Sequence, residues 1–168
     1  MKKGLLILVA MITMSVSTFA QKYGHVDAQV LLTELPDYKK AEDSLKIFAA
    51  KLETEMENQY KFYQQRVKDF EEGKAAGLFT ASIEQSRLEE LQVNQQKMQQ
   101  FQQNAQTDIQ KMESALLEPM IKRVKDSIEK VATGNSYAYV FDSNILLFHG
   151  GGDDIGPLVR KDLGIVTP

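Results

Sequence analysis

Residues 36–72 read PDYKKAEDSLKIFAAKLETEMENQYKFYQQRVKDFEE and carry a regular pattern of apolar side chains. The apolar positions recur at steps of three and four: Tyr38, Ala41, Leu45, Phe48, Leu52, Met56, Tyr60, Tyr63, Val67 and Phe70. This spacing predicts one continuous amphipathic helix that begins at Pro36. At a rise of 1.5 Å per residue, such a helix is about 54 Å long. A compact domain of this chain length does not need a helix of that length.

A second helical run follows a short interruption, GKAAGLFT at 73–80. The two glycines predict a turn, and Thr80 or Ser82 can cap the helix that follows. Residues 82–85, SIEQ, also fit a capping box. That helix is predicted to continue to about Thr133, with a bend at Pro119 or a break nearby. Two long helices joined by a tight turn fold back on each other. We therefore predict an antiparallel, coiled-coil-like hairpin over 36–133 with its tip near 73–80.

The second helix changes composition along its length. Ten of the fifteen residues from Gln92 to Gln106 are Gln or Asn, and apolar positions are sparse there but dense after Ile109. The hairpin is therefore expected to pack well at its base and weakly toward its tip. One interpretation of the amide run is a surface that contacts many partners, since amides both donate and accept hydrogen bonds. The alternative is a solvated helix face.

The segments on either side of the hairpin have a different pattern. Lys22 to Val26 is strand-like, and Asp27 can cap a short helix that ends near Leu35. After the hairpin, the apolar pattern predicts two strands, Tyr137–Phe141 and Ile145–Phe148, joined by a turn. These segments predict an α+β fold.

The predicted β body, residues 21–35 and 134–168, has about 50 residues, which is small for a stable unit without disulfides or a metal. Because its strands are apolar on both faces, we expect several copies to associate through them. The alternative is a monomer in which the base of the hairpin covers one face. The residues expected in the oligomerisation body are Val26, Tyr139, Val140, Phe141, Leu146, Leu147 and Phe148.

The first twenty residues are typical of a secretory signal peptide. A basic start is followed by the apolar run Leu5 to Val16 and by small residues before Ala20, which predicts cleavage between Ala20 and Gln21. A buried N-terminal helix is the alternative. The apolar run is too short to span a bilayer, and we predict an exported protein without a transmembrane segment. The chain contains no Cys, so neither disulfides nor a lipid-modified cysteine are expected.

Cleavage would leave 148 residues and change the formal charge from −3 to −5, because Lys2 and Lys3 are removed. An acidic chain is poorly suited to a phosphate backbone, so nucleic acid is not an expected partner.

Few side chains suit catalysis or metal binding. His25 has nothing at ligand spacing around it, and a structural or exposed role is predicted. His149 begins HGGGDD, which is similar to the oxyanion loop of some esterases, but the chain lacks the Gly-x-Ser-x-Gly elbow of those enzymes. Asp153 and Asp154 are more typical of a loop and a helix cap than of a cation site. We predict no enzyme, no catalytic residue, no cofactor and no metal site.

Three stretches together resemble the Skp/OmpH family of periplasmic chaperones. They are GHVDAQVLLTELPDYKKAEDSL at 24–45, LLEPMIKRVKDSIEKVA at 116–132, and YAYVFDSNILLFHGGGDDIGPLVRKDLGI at 137–165. The resemblance implies a trimer shaped like a jellyfish, in which a β body carries three helical hairpins around a cavity. It also implies a periplasmic protein that holds unfolded outer-membrane β-barrel proteins in that cavity without ATP.

Under this resemblance, the side chains expected to contact clients are Phe62, Phe79, Met98 and Phe101. Gly156 stands where the family often has Thr, which predicts a less firmly docked last helix. The main rival hypothesis is a structural coiled-coil spacer or adaptor of the cell envelope with one specific partner. A hydrolase that uses His149 is a third possibility, for which no nucleophile is evident.

Overall fold

The computed structural model of the protein describes residues 21–165, so the predicted signal peptide and Ala20 lie outside the described residues. The elements in chain order are β1 (Lys22–Val26), α1 (Ala28–Glu34), α2 (Pro36–Ala75), α3 (Ala81–Gly134), β2 (Tyr137–Asp142), a 3₁₀ turn (Ser143–Ile145), β3 (Asp153–Asp154) and α4 (Gly156–Leu163). The described chain is mostly helical with one small sheet, which confirms the α+β class. It divides into two compact units, residues 21–31 with 123–165, and Leu32–Lys122.

The sheet has three parallel strands in the order β2-β1-β3. His25 in the central strand pairs with Phe141 on one side and with Asp154 on the other. At the end of β1, the Asp27 carboxylate accepts the Val30 N–H at 2.9 Å, as expected for a helix cap. This hydrogen bond lowers the pKa of Asp27.

The predicted strand Ile145–Phe148 is wrong. Asp142 Oδ1 accepts the Asn144 N–H at 2.9 Å, and the chain enters the 3₁₀ turn Ser143–Ile145. Leu146, Leu147 and Phe148 follow outside any strand, and the third strand is Asp153–Asp154 instead. Because the sheet is parallel, the chain must cross over β1 after β2 ends before it can form the next strand. A tight hairpin therefore does not form at this point.

The core of the sheet unit consists of buried aliphatic side chains: Val26, Leu31, Val124, Val131, Ile155, Val159 and Leu163. Polar contacts also hold α4 against the end of α3. Ser127 Oγ donates to Asp162 at 2.9 Å, Lys130 pairs with the same carboxylate, and Arg123 donates to the Leu163 carbonyl at 3.0 Å. The last helix is thus well docked, contrary to the expectation from Gly156.

Asp154 supplies a hydrogen bond at the start of α4, where Gly156 has no side chain to contribute one. Its Oδ1 accepts the Gly156 N–H at 2.8 Å. A Cβ at position 156 would come within 2.9 Å of that same oxygen, so a glycine fits here without disturbing the contact.

The unit Leu32–Lys122 is a helical hairpin. α2 continues through Gly73 to Ala75, so the first glycine of the predicted interruption lies inside the helix. α3 continues through Pro119 to Gly134, so the break considered there does not occur. Because proline has no N–H, that helix lacks one backbone hydrogen bond.

Candidate functional site

The two helices of the hairpin run antiparallel along their length. Near the tip, Lys74 pairs with Glu84 and Arg66 Nη1 lies 4.0 Å from Glu90. Further from the tip, Tyr38 and Leu45 of α2 lie beside Glu113, Leu116 and Leu117 of α3. The hairpin is thus a continuous two-helix surface, on which the residues between tip and base are the candidate binding site.

The tip is closed by an aromatic ring that occupies the space beside a glycine. Phe79 stacks on Phe70 with ring centroids 5.8 Å apart, and a Cβ at Gly73 would lie 2.3 Å from Phe79 Cζ. Gly77 makes the turn with a φ of +67°, a conformation that glycine adopts readily. Leu78 remains 71% exposed at the end of the hairpin. The tip is therefore a defined structure that presents one apolar side chain.

A groove of about 580 Å³ lies between the helices in the amide-rich region. Five side-chain amides line it, together with apolar groups: Asn58, Gln59, Asn94, Gln100 and Asn104, with Phe62, Tyr63, Met98 and Phe101. A second groove, of about 440 Å³, also has Met98 in its lining, together with Met56 and Tyr60. The helices therefore leave open space on either side of Met98, and amides and apolar atoms share the walls.

Exposed apolar side chains occur along the hairpin among charged and amide neighbours. They are Ile47, Met56, Tyr60, Phe62, Leu78, Ile83, Leu88, Val93 and Ile121. Phe62 is 52% exposed, and the Arg66 guanidinium lies 4.9 Å from its ring centroid. Polar neighbours between apolar residues limit the size of contiguous apolar patches, and large exposed patches favour aggregation.

A second apolar surface covers one face of the sheet. Tyr23, Tyr139 and Phe141 are each at least 40% exposed. Their rings stack, with centroids 6.0 to 6.5 Å apart. We call these three residues the aromatic sheet face. Stacked aromatic rings that remain exposed in one copy of a chain are typical of protein interfaces.

The structure places the predicted oligomerisation residues in three settings. Val26 lies in the core, Val140 and Leu146 are half-buried, and the other four are exposed: Tyr139, Phe141, Leu147 and Phe148. Only Tyr139 and Phe141 belong to the aromatic sheet face. Tyr23 was missed, although its position two residues before His25 in the predicted strand places it on the same face.

The four predicted client-contacting residues also differ. Phe62, Met98 and Phe101 line the groove, and Phe62 is also exposed, whereas Phe79 packs inside the tip. Sequence reasoning missed one further contact, a hydrogen bond of 2.9 Å between the rings of His25 and His149. The two histidines are 124 positions apart in the sequence, so no local pattern indicated this contact.

Within residues 21–165, no group of three or more His, Cys, Asp or Glu side chains is arranged to hold a metal ion. Across the same described residues, none of the helices is both long enough and apolar enough to cross a membrane.

Comparison with known proteins identifies the family. The family model described as outer membrane protein (OmpH-like) matches residues 22–163. The chain belongs to the OmpH-like family. The prediction of a Skp/OmpH member is thus confirmed, and this is a family of chaperones, so the chain is not an enzyme.

The fold of a solved relative agrees. A crystal structure of a proposed outer membrane chaperone (OmpH-like) from Caulobacter crescentus CB15 superposes with a TM-score of 0.72 at 14% identity. The alignment covers 85% of this chain and 83% of that one. No curated protein matches the sequence.

Proposed function

We propose that this OmpH-like protein is an ATP-independent holding chaperone that is exported to the periplasm and keeps unfolded outer-membrane β-barrel proteins from aggregating. The observation that carries the proposal is the exposure of apolar side chains on amide-rich helices, exemplified by the 52% exposed Phe62, which lines the groove together with Asn58 and Asn94. Membership of a chaperone family supports it.

Client binding is proposed to depend on many weak contacts between the hairpin and the unfolded chain. A half-exposed apolar side chain that becomes buried against a client contributes about 1 kcal/mol. Amides can pair with the unsatisfied backbone groups of an unfolded chain, whatever its sequence. Several such contacts together hold a client, but each contact breaks readily. Folding of the client into a membrane can therefore compete with binding to the chaperone, and release needs no nucleotide. Met98 at the groove adapts to different apolar partners because its side chain is flexible.

We also propose that the protein assembles as a homotrimer. The aromatic sheet face offers apolar area suited to self-association, and the sheet unit is small for a stand-alone domain. Three copies joined there would place three hairpins around one cavity, as the family resemblance implies. Tyr23 and Tyr139 are the residues on which we expect assembly to depend most.

Native mass spectrometry tests assembly and binding together. The purified protein is measured alone and with an unfolded outer-membrane β-barrel protein diluted from urea, in the absence of nucleotide. A trimer that takes up one client is expected. A monomer or dimer that leaves the client to aggregate would overturn the proposal and favour the rival, a structural spacer.

Two variants test the binding surface. The double substitution Tyr60→Ser and Phe62→Ser removes exposed apolar area from the hairpin and should weaken client binding about thirtyfold, by about 1 kcal/mol per side chain. Leu158→Ser removes a 41% exposed side chain from the sheet unit and serves as the control. Binding is measured by titration against a fluorescently labelled client. Equal losses in both variants would contradict a hairpin binding site.

A further inference from the structure

The two histidines of the chain meet across the sheet. His25 in β1 is 91% buried, and its Nε2 lies 2.9 Å from Nδ1 of His149. The rings are nearly perpendicular, at 86°. His149 belongs to residues 146–152, here called the glycine loop, which crosses from the 3₁₀ turn to β3 and contains three glycines. Leu147 and Phe148 of this loop are largely exposed, whereas the ring of His149 contacts the sheet through His25.

The other ring nitrogen of His25 decides the protonation state of this contact. Nδ1 is buried and has no hydrogen-bond partner within residues 21–165. A proton on that atom would create a buried N–H without an acceptor, which is unfavourable. The favoured arrangement is therefore His25 with its proton on Nε2, donating to a bare Nδ1 of a neutral His149.

Any additional proton disturbs this arrangement. If His25 takes it, the proton sits on the buried Nδ1. If His149 takes it on the facing nitrogen, that N–H must donate to His25 Nε2, and the proton of His25 moves to Nδ1. Both routes place an N–H in the same buried site. When the glycine loop is detached, the ring of His25 also meets water and this restriction disappears.

Charged groups on the neighbouring strands influence the protonation of His25, but they do not remove the unfavourable effect of a buried N–H. Asp153 and Asp154 in β3 favour a cationic His25 by their charge. The carboxylate of Asp153 is engaged, however, by the Tyr137 hydroxyl at 2.8 Å and by Lys22 at 3.3 Å. Asp154 accepts the Gly156 N–H. On the β2 side, the partner of His25 is the uncharged Phe141.

We infer that His25 and His149 form a pH-sensitive switch, in which proton uptake releases the glycine loop from the sheet. The sign follows from linkage: the detached state binds protons more readily, so it gains population as the pH falls. Histidine is the side chain whose charge changes between about pH 5 and 8. Because His25 shares a sheet face with Tyr23 and Phe141, release of the loop also enlarges the aromatic sheet face.

Histidine-specific ¹⁵N labelling tests the inference in the protein alone, without a client. With only two histidines in the chain, each ring nitrogen can be assigned. At about pH 7.5, His25 should carry its proton on Nε2 and be shielded from a soluble paramagnetic gadolinium chelate. At about pH 5, release of the loop should raise the paramagnetic relaxation of His25 at least about fivefold.

Two variants separate the switch from general acid effects. His149→Asn keeps an acceptor oxygen where Nδ1 stood but cannot take up a proton in this range. Only His25 can then take up a proton, so the paramagnetic relaxation of His25 should rise less steeply with falling pH than in the parent. His149→Ala should expose His25 at both. If His149→Asn opens in acid as the parent does, or if His25 carries its proton on Nδ1 at neutral pH, the inference is wrong. Circular dichroism shows whether each variant is folded, and His149→Asn decides the question if His149→Ala is not.

Discussion

The sheet unit and the helical hairpin of this protein use apolar side chains in opposite ways. In the sheet unit, a few aliphatic residues are fully enclosed: Ile155 and Val159 have no exposed surface. In the hairpin, most apolar positions are half-buried or exposed, and Ile47 is 60% exposed. One unit concentrates its stabilising contacts in a core, whereas the other distributes them along two helices.

This difference has consequences for function. A protein that binds many unfolded partners must leave apolar surface accessible, and accessible surface contributes little to its own stability. The hairpin therefore relies on helix-forming residues, on repeated ion pairs within helices, and on a closed tip. The same substitution should thus have very different effects in the two units.

The largest effect is expected for Ile155→Ala. Ile155 is fully buried, and its Cγ2 would be the nearest atom to a Cβ placed on Gly24, at 3.0 Å. Truncation leaves a cavity in a close-packed core and should lower the free energy of unfolding by about 3 kcal/mol. Urea unfolding followed by far-UV circular dichroism measures this.

Ile47→Ala in the hairpin is the matched control, because the chemical change is identical. Ile47 is mostly exposed and alanine favours helix, so the free energy of unfolding should change by less than about 0.5 kcal/mol. Similar losses at both positions would show that the two units are stabilised in the same way, and the comparison would fail.

The helices could be predicted from the sequence because their pattern is local. Apolar steps of three and four predicted a first helix from Pro36 to about Glu72, and α2 ends at Ala75. β1 and the cap at Asp27 were predicted correctly for the same reason. In each case, the residues that determine the element lie within one or two turns of each other.

The errors concern contacts between distant residues. Ile145–Phe148 has the apolar character of a strand, but β3 forms where residues 153 and 154 meet residues 24 and 25. The contact of His25 with His149 depends on the same crossing of the chain. At Gly73, the sequence suggested an interruption, whereas the ring of Phe79 fills the space that the missing side chain leaves. No local pattern encodes these arrangements.

A substitution at the tip of the hairpin should have an effect of intermediate size on stability. Whether it stabilises the tip should depend on whether the ring of Phe79 is present. Gly73→Ala should gain about 1 kcal/mol in helix propensity but displace the Phe79 ring from Phe70, which costs about as much. In a Phe79→Ala background the clash is absent, and Gly73→Ala should then stabilise the tip by about 1 kcal/mol.

Hydrogen exchange of the backbone amides in residues 66–90 measures this double-mutant cycle, because it reports local opening of the tip. Additive effects of the two substitutions would mean that Phe79 does not pack on Gly73. The tip would then be as loosely organised as the exposed parts of the hairpin.

The smallest effect is expected from two ion pairs, one in each unit. Lys130 and Ser127 both donate to Asp162 and lower the pKa of its carboxyl group, and they join α3 to α4. Lys61 pairs with Glu57 one turn away at 2.7 Å and lowers its pKa, but both side chains are at least 60% exposed. A lowered pKa means that the pair stabilises the fold above the ordinary carboxyl pKa and loses this contribution as the pH falls through the folded value.

Asp162→Asn should therefore lower the urea midpoint near neutral pH, while Glu57→Gln should leave it almost unchanged, because an exposed pair within one helix contributes little. Below about pH 4 the difference between the parent protein and Asp162→Asn should shrink, since the parent carboxylate is then losing its charge. Comparing each variant with the parent at the same pH cancels the titration of the histidines. If the Asp162→Asn difference persists undiminished in acid, the carboxylate charge is not what docks α4. The buried side chains Val159 and Leu163 would then account for the docking.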